Sequence, residues 1–99
     1  MHFEVDWRPS AIEDVRELFE YLAVNASLWD ARSVTSRILA STDKLEQFPR
    51  LYEAAPQYGE GVRRISLLGH NVLYVVDDQA QVVQVLAVVG GRQLARKVR

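Results

Sequence analysis

The chain has 99 residues, of which 48% are hydrophobic and 25% charged, and a formal net charge of −1. That length holds one domain with one core, and the composition excludes a disordered chain. With no cysteine, disulfides, thiolate metal sites and a cysteine nucleophile are also excluded.

The charge is unevenly spread. Residues 1–60 carry 11 acidic and 6 basic side chains, a net of −5, while residues 61–99 carry 2 acidic and 6 basic, a net of +4. The asymmetry points either to a C-terminal half that meets something anionic or to a solubilising basic tail. No apolar run approaches the ~20 residues of a membrane span, and the N-terminus shows no signal-peptide pattern. The expectation is a small cytoplasmic protein with no membrane partner.

Residues 2–7 alternate Phe3, Val5 and Trp7 with His2, Glu4 and Asp6, the pattern of a half-buried strand. Arg8-Pro9-Ser10 ends it, and Ser10 with Glu13 reads as a capping box that starts a helix. That helix places Ala11, Ile12, Val15, Leu18, Phe19 and Leu22 on one stripe, with Glu13, Asp14, Arg16, Glu17 and Glu20 off it. A second cap follows at Ser27 and Asp30. The next helix carries Ala31, Val34, Ile38, Leu45 and Phe48 at helical spacing and is expected to run until Pro49 stops it. A short link between two amphipathic helices predicts an antiparallel hairpin. Residues 50–60, with Pro56 and Gly59, have no period and read as a connecting loop.

Residues 62–68, 71–76 and 82–89 are three β-rich runs separated by turn signals at Leu68-Gly69-His70 and Asp77-Asp78-Gln79-Ala80. Links this short join antiparallel neighbours. The second and third runs are almost unbroken in Val, Leu and Tyr, so each either has apolar neighbours on both faces or sits centrally in a sheet. The first run contains Arg63 and Arg64, which alternation sends to opposite faces. The expected fold class is α+β: strand, helix, helix and three strands, with the helical hairpin on one face of a mostly antiparallel four-stranded sheet. The other face is expected to be partly bare and to carry the function. Residues 1–99 form a single domain in this reading.

Several side chains that suggest chemistry have plainer roles. Tyr74, mid-strand among Val and Leu, reads as core, and Trp7 and Trp29 read as packing anchors. Asp77 and Asp78 sit in a hairpin turn for backbone reasons. His2 and His70 have no second ligand at metal spacing, so no metal or cofactor is expected. Gly90-Gly91 lacks the spacing of a phosphate loop.

The motifs, taken in order, resemble the ParE/RelE superfamily of toxins from bacterial type II toxin–antitoxin modules, and the ParE branch more closely. The marks are Val5-Asp6-Trp7-Arg8-Pro9-Ser10-Ala11, Leu45-Glu46-Gln47-Phe48-Pro49-Arg50, Gly61-Val62-Arg63-Arg64-Ile65, Asn71-Val72-Leu73-Tyr74-Val75-Val76, and Val85-Leu86-Ala87-Val88 leading to Gly91-Arg92. The resemblance implies a growth-arresting toxin, of a kind associated with plasmid stabilisation, held in a hetero-oligomer by a cognate antitoxin. In the ParE branch the target is DNA gyrase, poisoned by binding. In the RelE branch it is messenger RNA on the ribosome, cleaved without a metal.

Metal-free RNA cleavage needs a general base, a general acid and cations on the phosphate. Arg63, Arg64 and Arg92 are the candidate cations. After Val89, however, the sequence has no His, Tyr, Asp or Glu, and Gly90 stands where the superfamily commonly has a His. The ParE-like reading with no catalytic residue is therefore preferred, and a RelE-like ribonuclease or an inactive binding module of the same fold are the alternatives. Candidate target-binding residues are Arg63, Arg64, Arg92, Arg96 and Lys97. Candidate antitoxin-binding residues are Val15, Leu18, Phe19, Leu22, Val34 and Ile38.

Overall fold

A computed structural model describes residues 2–91 and 97–99. Strand β1 (Glu4–Trp7) leads into helices α1 (Pro9–Asn25) and α2 (Leu28–Ala40), and strands β2 (Arg63–Leu67), β3 (His70–Asp77) and β4 (Val82–Gly90) follow. The sheet order is β1-β4-β3-β2. All neighbours are antiparallel except β1, which lies parallel to β4 at the edge. The two unbroken apolar runs are thus the two central strands. Residues 71–75 and 85–89 are all buried: β3 lies between two strands, β4 has β3 on one side and β1 followed by α1 on the other, and both faces are covered.

The β2–β3 connection is a tight turn in which Leu68 and Gly69 have φ of 52° and 79°. Two successive left-handed residues match the twist of a two-residue hairpin, and glycine reaches that region without strain. On the other side of β3 the register slips. Leu73 pairs with Ala87 but Tyr74 pairs with Val85, so Leu86 is an extra residue in β4. The bulge changes which side chains face the helices. Val83, Val85 and Val88 join Ile65, Val72, Tyr74, Val15 and Ile38 in the core beneath the helices. Leu86, Ala87 and Val89 join Leu73 and Val75 on the far face.

Helix α1 starts earlier than the Ser10–Glu13 capping box implies. Pro9 occupies the first turn and Arg8 the cap position, with no side-chain cap bond. Ser10, already helical, donates its hydroxyl to the Leu86 carbonyl at 3.1 Å, and Glu13 pairs with Arg16. Asp14, one turn on, accepts the Val88 N–H at 2.9 Å. Strand β1 accompanies β4 only as far as Val85. Beyond that point, Ser10 and Asp14 take over the hydrogen bonding of β4's exposed edge.

The cap of α2 forms as expected, with Ser27 Oγ accepting the Asp30 N–H at 2.9 Å. The helix nevertheless ends at Ala40 and does not reach Phe48. Ser41 and Thr42 hydroxyls donate back to the Ile38 and Leu39 carbonyls at 2.6 and 3.2 Å. Side-chain bonds of this kind compete with helix continuation, and the chain turns into a 3₁₀ segment over Asp43–Glu46. Leu45 is fully buried while Phe48 is exposed.

The far face of the sheet is not bare. Ala55, Tyr58, Val62 and Val98 pack over it. They are tied down by Ala55 N–H to Val62 O at 2.8 Å, Arg64 N–H to Glu53 O at 3.0 Å and Val98 N–H to Tyr58 O at 2.7 Å. A stretch without hydrophobic period thus works as cover for the sheet. Trp29 is a second correction, being 77% exposed at the start of α2, whereas Trp7 packs against the core as expected. Among the described residues no helix is long and apolar enough to cross a membrane.

Candidate functional site

Arg63 and Arg64, both candidate cations for a target, go to opposite faces of β2, as strand alternation implies. Arg63 pairs with Tyr74, whose side chain faces the helices, and Arg64 pairs with Leu73, whose side chain faces the other way. Neighbouring side chains follow the same alternation. Arg63 is half-buried and donates from Nη1 to the Tyr52 carbonyl at 2.7 Å. Arg64 on the far face reaches Glu53 Oε2 at 3.3 Å, and its Nε is buried without a partner. Lys97 is exposed. Arg92 and Arg96 lie outside the described residues.

Beside Arg64, the polar groups of the far face bond to one another. Ser66 Oγ donates to Asn71 Oδ1 at 3.0 Å, and Asn71 Nδ2 donates to the Tyr58 hydroxyl at 3.3 Å. Tyr58 is 4% exposed, so its phenol supports the fold and is closed to a substrate. Sequence reading missed this network, because the loop residue Tyr58 gives no sign that it will meet β3.

On the helix side, Tyr74 is fully buried, as its surroundings in the sequence imply. Burial pushes its pKa up, against smaller opposing effects of the Tyr52 backbone and the Arg63 and Arg50 cations. The hydroxyl nevertheless has no partner of full hydrogen-bond geometry. The Tyr52 backbone is near enough to influence it but is badly placed to bond it. His70 shares a hollow with Asp14, Glu17 and Leu18, and partial burial lowers its pKa. Among the described residues no three His, Asp or Glu side chains are grouped to hold a metal. Asp77 serves its turn by accepting the Ala80 N–H at 3.1 Å. Asp78 instead forms a two-pronged pair with Arg50 at 2.6 and 2.9 Å, which holds its carboxyl below the usual range. Twenty-eight residues separate the two, and nothing local announces the pair.

The residues expected to meet an antitoxin divide by burial. Val15 and Ile38 are buried in the core, and Leu18 and Val34 pack against it. Phe19 and Leu22 are half-buried. The core itself takes the centre of the stripe, which leaves Val15 and Ile38 no surface for a partner. On the helical hairpin the large apolar side chains that reach solvent are Ile12 on α1, Leu39 on α2, and Tyr21, Val24, Leu28 and Trp29 around the helix–helix turn.

This order of elements, with a helical hairpin over a sheet whose edge strand runs parallel to β4, defines the fold of a ParE/RelE-type toxin. The description "ParE toxin of type II toxin-antitoxin system, parDE" matches residues 5–95. The chain belongs to that family. No curated protein matches it by sequence. Among solved structures it is similar to a chain of the chromosomal ParDE TA system from P. aeruginosa, with a TM-score of 0.78 at 18% identity, covering 90% of this chain and 96% of that one. It is also similar to a chain of the intact E. coli RelBE toxin-antitoxin complex, with a TM-score of 0.65 at 18% identity over 94% of this chain and 100% of that one. The archaeal RelE-RelB complex from Pyrococcus horikoshii OT3 gives 0.66 at 18% identity over 95% and 100%. At such identities these likenesses speak for the fold, which both branches share.

Proposed function

We propose that this toxin acts in the cytoplasm by binding DNA gyrase, without catalysis of its own, and that a cognate antitoxin silences it. The observation that carries the choice is the separation of Arg63 and Arg64 onto opposite faces of β2. Cleaving RNA without a metal requires several cations converging on one phosphate together with proton donors and acceptors in reach. Two arginines that diverge, one already facing Glu53, do not make that cradle. Of the tyrosines near them, Tyr58 and Tyr74 are buried, and Tyr52 is half-buried with its ring packed against the core. Binding a large partner needs no such convergence, and Arg64 and Lys97, with Arg92 and Arg96 of the tail sequence, are the proposed cations.

The antitoxin surface proposed is the hairpin. Half-buried Phe19 and Leu22, continued by exposed Tyr21, Val24, Leu28 and Trp29, offer apolar area that an amphipathic segment can cover. The test is a supercoiling assay with purified gyrase and micromolar toxin, run alongside ribosome-dependent cleavage of a defined transcript. Inhibited supercoiling with an intact transcript is expected, and loss of inhibition on adding antitoxin. Unimpaired supercoiling together with transcript cleavage that vanishes in Arg64→Ala would overturn the reading in favour of a ribonuclease.

A further inference from the structure

Where β2 begins, three guanidiniums line one hollow. Arg50, Arg63 and Arg99 enclose about 200 Å³ together with Pro56, Val62 and Val76. Their charges are not equally neutralised. Arg50 faces the Asp78 carboxylate. Arg63 donates to the Tyr52 carbonyl at 2.7 Å and Arg99 to the Glu60 carbonyl at 3.2 Å. A carbonyl supplies a dipole and no counter-charge. Among the described residues, the ion pairs involve Arg16, Arg50 and Arg64 but neither Arg63 nor Arg99. Arg63 is half-buried, and a partly desolvated cation is costly until an anion joins it.

We propose that this hollow receives one carboxylate side chain of a partner polypeptide, gripped by Arg63 and Arg99 with Arg50 beside them. The guanidinium fork matches a planar carboxylate, and Pro56, Val62 and Val76 offer apolar wall to the methylenes behind it. A nucleic acid strand suits the place poorly. Exposed Asp78 pairs with Arg50, and exposed Glu60 holds Arg99 through its carbonyl, so a run of phosphates would have to pass these like charges. The site is separate from Arg64 on the far face, and it stands whether the toxin's target is gyrase or RNA.

The experiment uses the full chain labelled with ¹⁵N and follows the arginine Nε–H resonances during titration. The probes are acetyl-Leu-Glu-amide, its glutamine counterpart and inorganic phosphate. The glutamate peptide is expected to move the Arg63 resonance saturably in the low-millimolar range, while the glutamine peptide leaves it in place. Arg63→Lys should weaken that response roughly fivefold or more, because the two-pronged grip is lost. Arg99→Gln should weaken it comparably, and it serves as the second variant if Arg63→Lys fails to fold. The amide spectrum reports the fold of each variant. Equal responses to the glutamate and glutamine peptides would overturn the proposal, as would a response unchanged in the folded variants. Inorganic phosphate moving Arg63 at lower concentration than the glutamate peptide would overturn it too, and would assign the hollow to phosphate.

Discussion

Replacing Asp14 with alanine tests how the sheet closes where β1 runs out. The Asp14 carboxylate accepts the Val88 N–H at 2.9 Å, just past the bulge at Leu86 and beyond the last β1 partner at Val85. Val88 is 8% exposed and lines the same open hollow as Asp14, so losing the carboxylate leaves a backbone donor that water only partly satisfies. A hydrogen bond to a charged group contributes about 1.5–3 kcal/mol, and an orphaned buried donor costs a similar amount. Asp14 is itself half-exposed, which favours the lower end, about 1.5–2 kcal/mol. For a domain of this size each kcal/mol moves the melting temperature by about 4–8 °C, so Asp14→Ala should melt roughly 10 °C lower. Asp14→Asn keeps an acceptor oxygen and should lose under about 1 kcal/mol.

Urea unfolding followed by circular dichroism measures these differences, with Glu17→Ala as a control on the exposed side of the same helix, expected within about 0.5 kcal/mol of the parent. Hydrogen exchange at the Val88 amide gives the local readout, slow in the parent and accelerated in Asp14→Ala. The reasoning fails if Asp14→Ala is no more damaging than Glu17→Ala, or if the Val88 amide already exchanges freely in the parent.

Ile38→Ala should cost about 2–5 kcal/mol in urea unfolding by opening a cavity in the core, whereas Phe48→Ala, an exposed site, should stay within about 0.5 kcal/mol. Tyr74→Phe should be neutral or stabilising by up to about 1 kcal/mol at pH 7, since it removes a buried hydroxyl without a good partner. Because burial raises the Tyr74 pKa in the folded state, its stability contribution is complete below about pH 10 and is lost as pH rises through the folded value. Unfolding midpoints above pH 10 should therefore fall more slowly in Tyr74→Phe than in the parent. His70 has the opposite sign. Its lowered folded pKa means that stability is present above about pH 6.5 and declines as pH falls through the folded value. His70→Gln should flatten that acid limb in urea midpoints taken between pH 8 and pH 5.

The central strands were the most legible part of the sequence, because two unbroken apolar runs joined by short links have few other places to go. Tyr74 could be placed for the same reason. Capping was less legible. The Ser10–Glu13 spacing is a genuine capping pattern, but Pro9 satisfies the start of α1 by itself and leaves Ser10 free to bond Leu86. The end of α2 turned on Ser41 and Thr42, whose hydroxyls stop a helix only when they bond backward. Periodicity carried the expectation on to Phe48 because Leu45 does sit in the core, though it reaches it from a 3₁₀ turn. The cover over the far face was hidden for another reason. Ala55, Tyr58 and Val62 are held there by long-range backbone bonds and by a bulge that turns Leu86 and Ala87 toward them. Neither leaves a mark in local composition.

That cover changes where a small toxin can meet its partners. With helices on one face and its own loop and tail residue Val98 on the other, the described sheet has no broad open side. Recognition is pushed to the margins: the helix–helix turn with Tyr21, Val24, Leu28 and Trp29, and the start of edge strand β2 with its arginines. Residues 53–55 bridge the start of β2, and Arg63 and Arg64 lie half-buried there on its opposite faces. The pair Arg63–Arg64 that reads as one motif in sequence is then two separate contacts. On the proposed reading, Arg64 faces the target while Arg63 holds a partner's carboxylate. The corollary is that Arg63→Lys and Arg64→Lys should have separable effects. The first should weaken the carboxylate response and leave supercoiling inhibition intact, and the second should do the reverse. If both substitutions reduce both readouts alike, the two arginines act as one site and the division into two contacts is wrong.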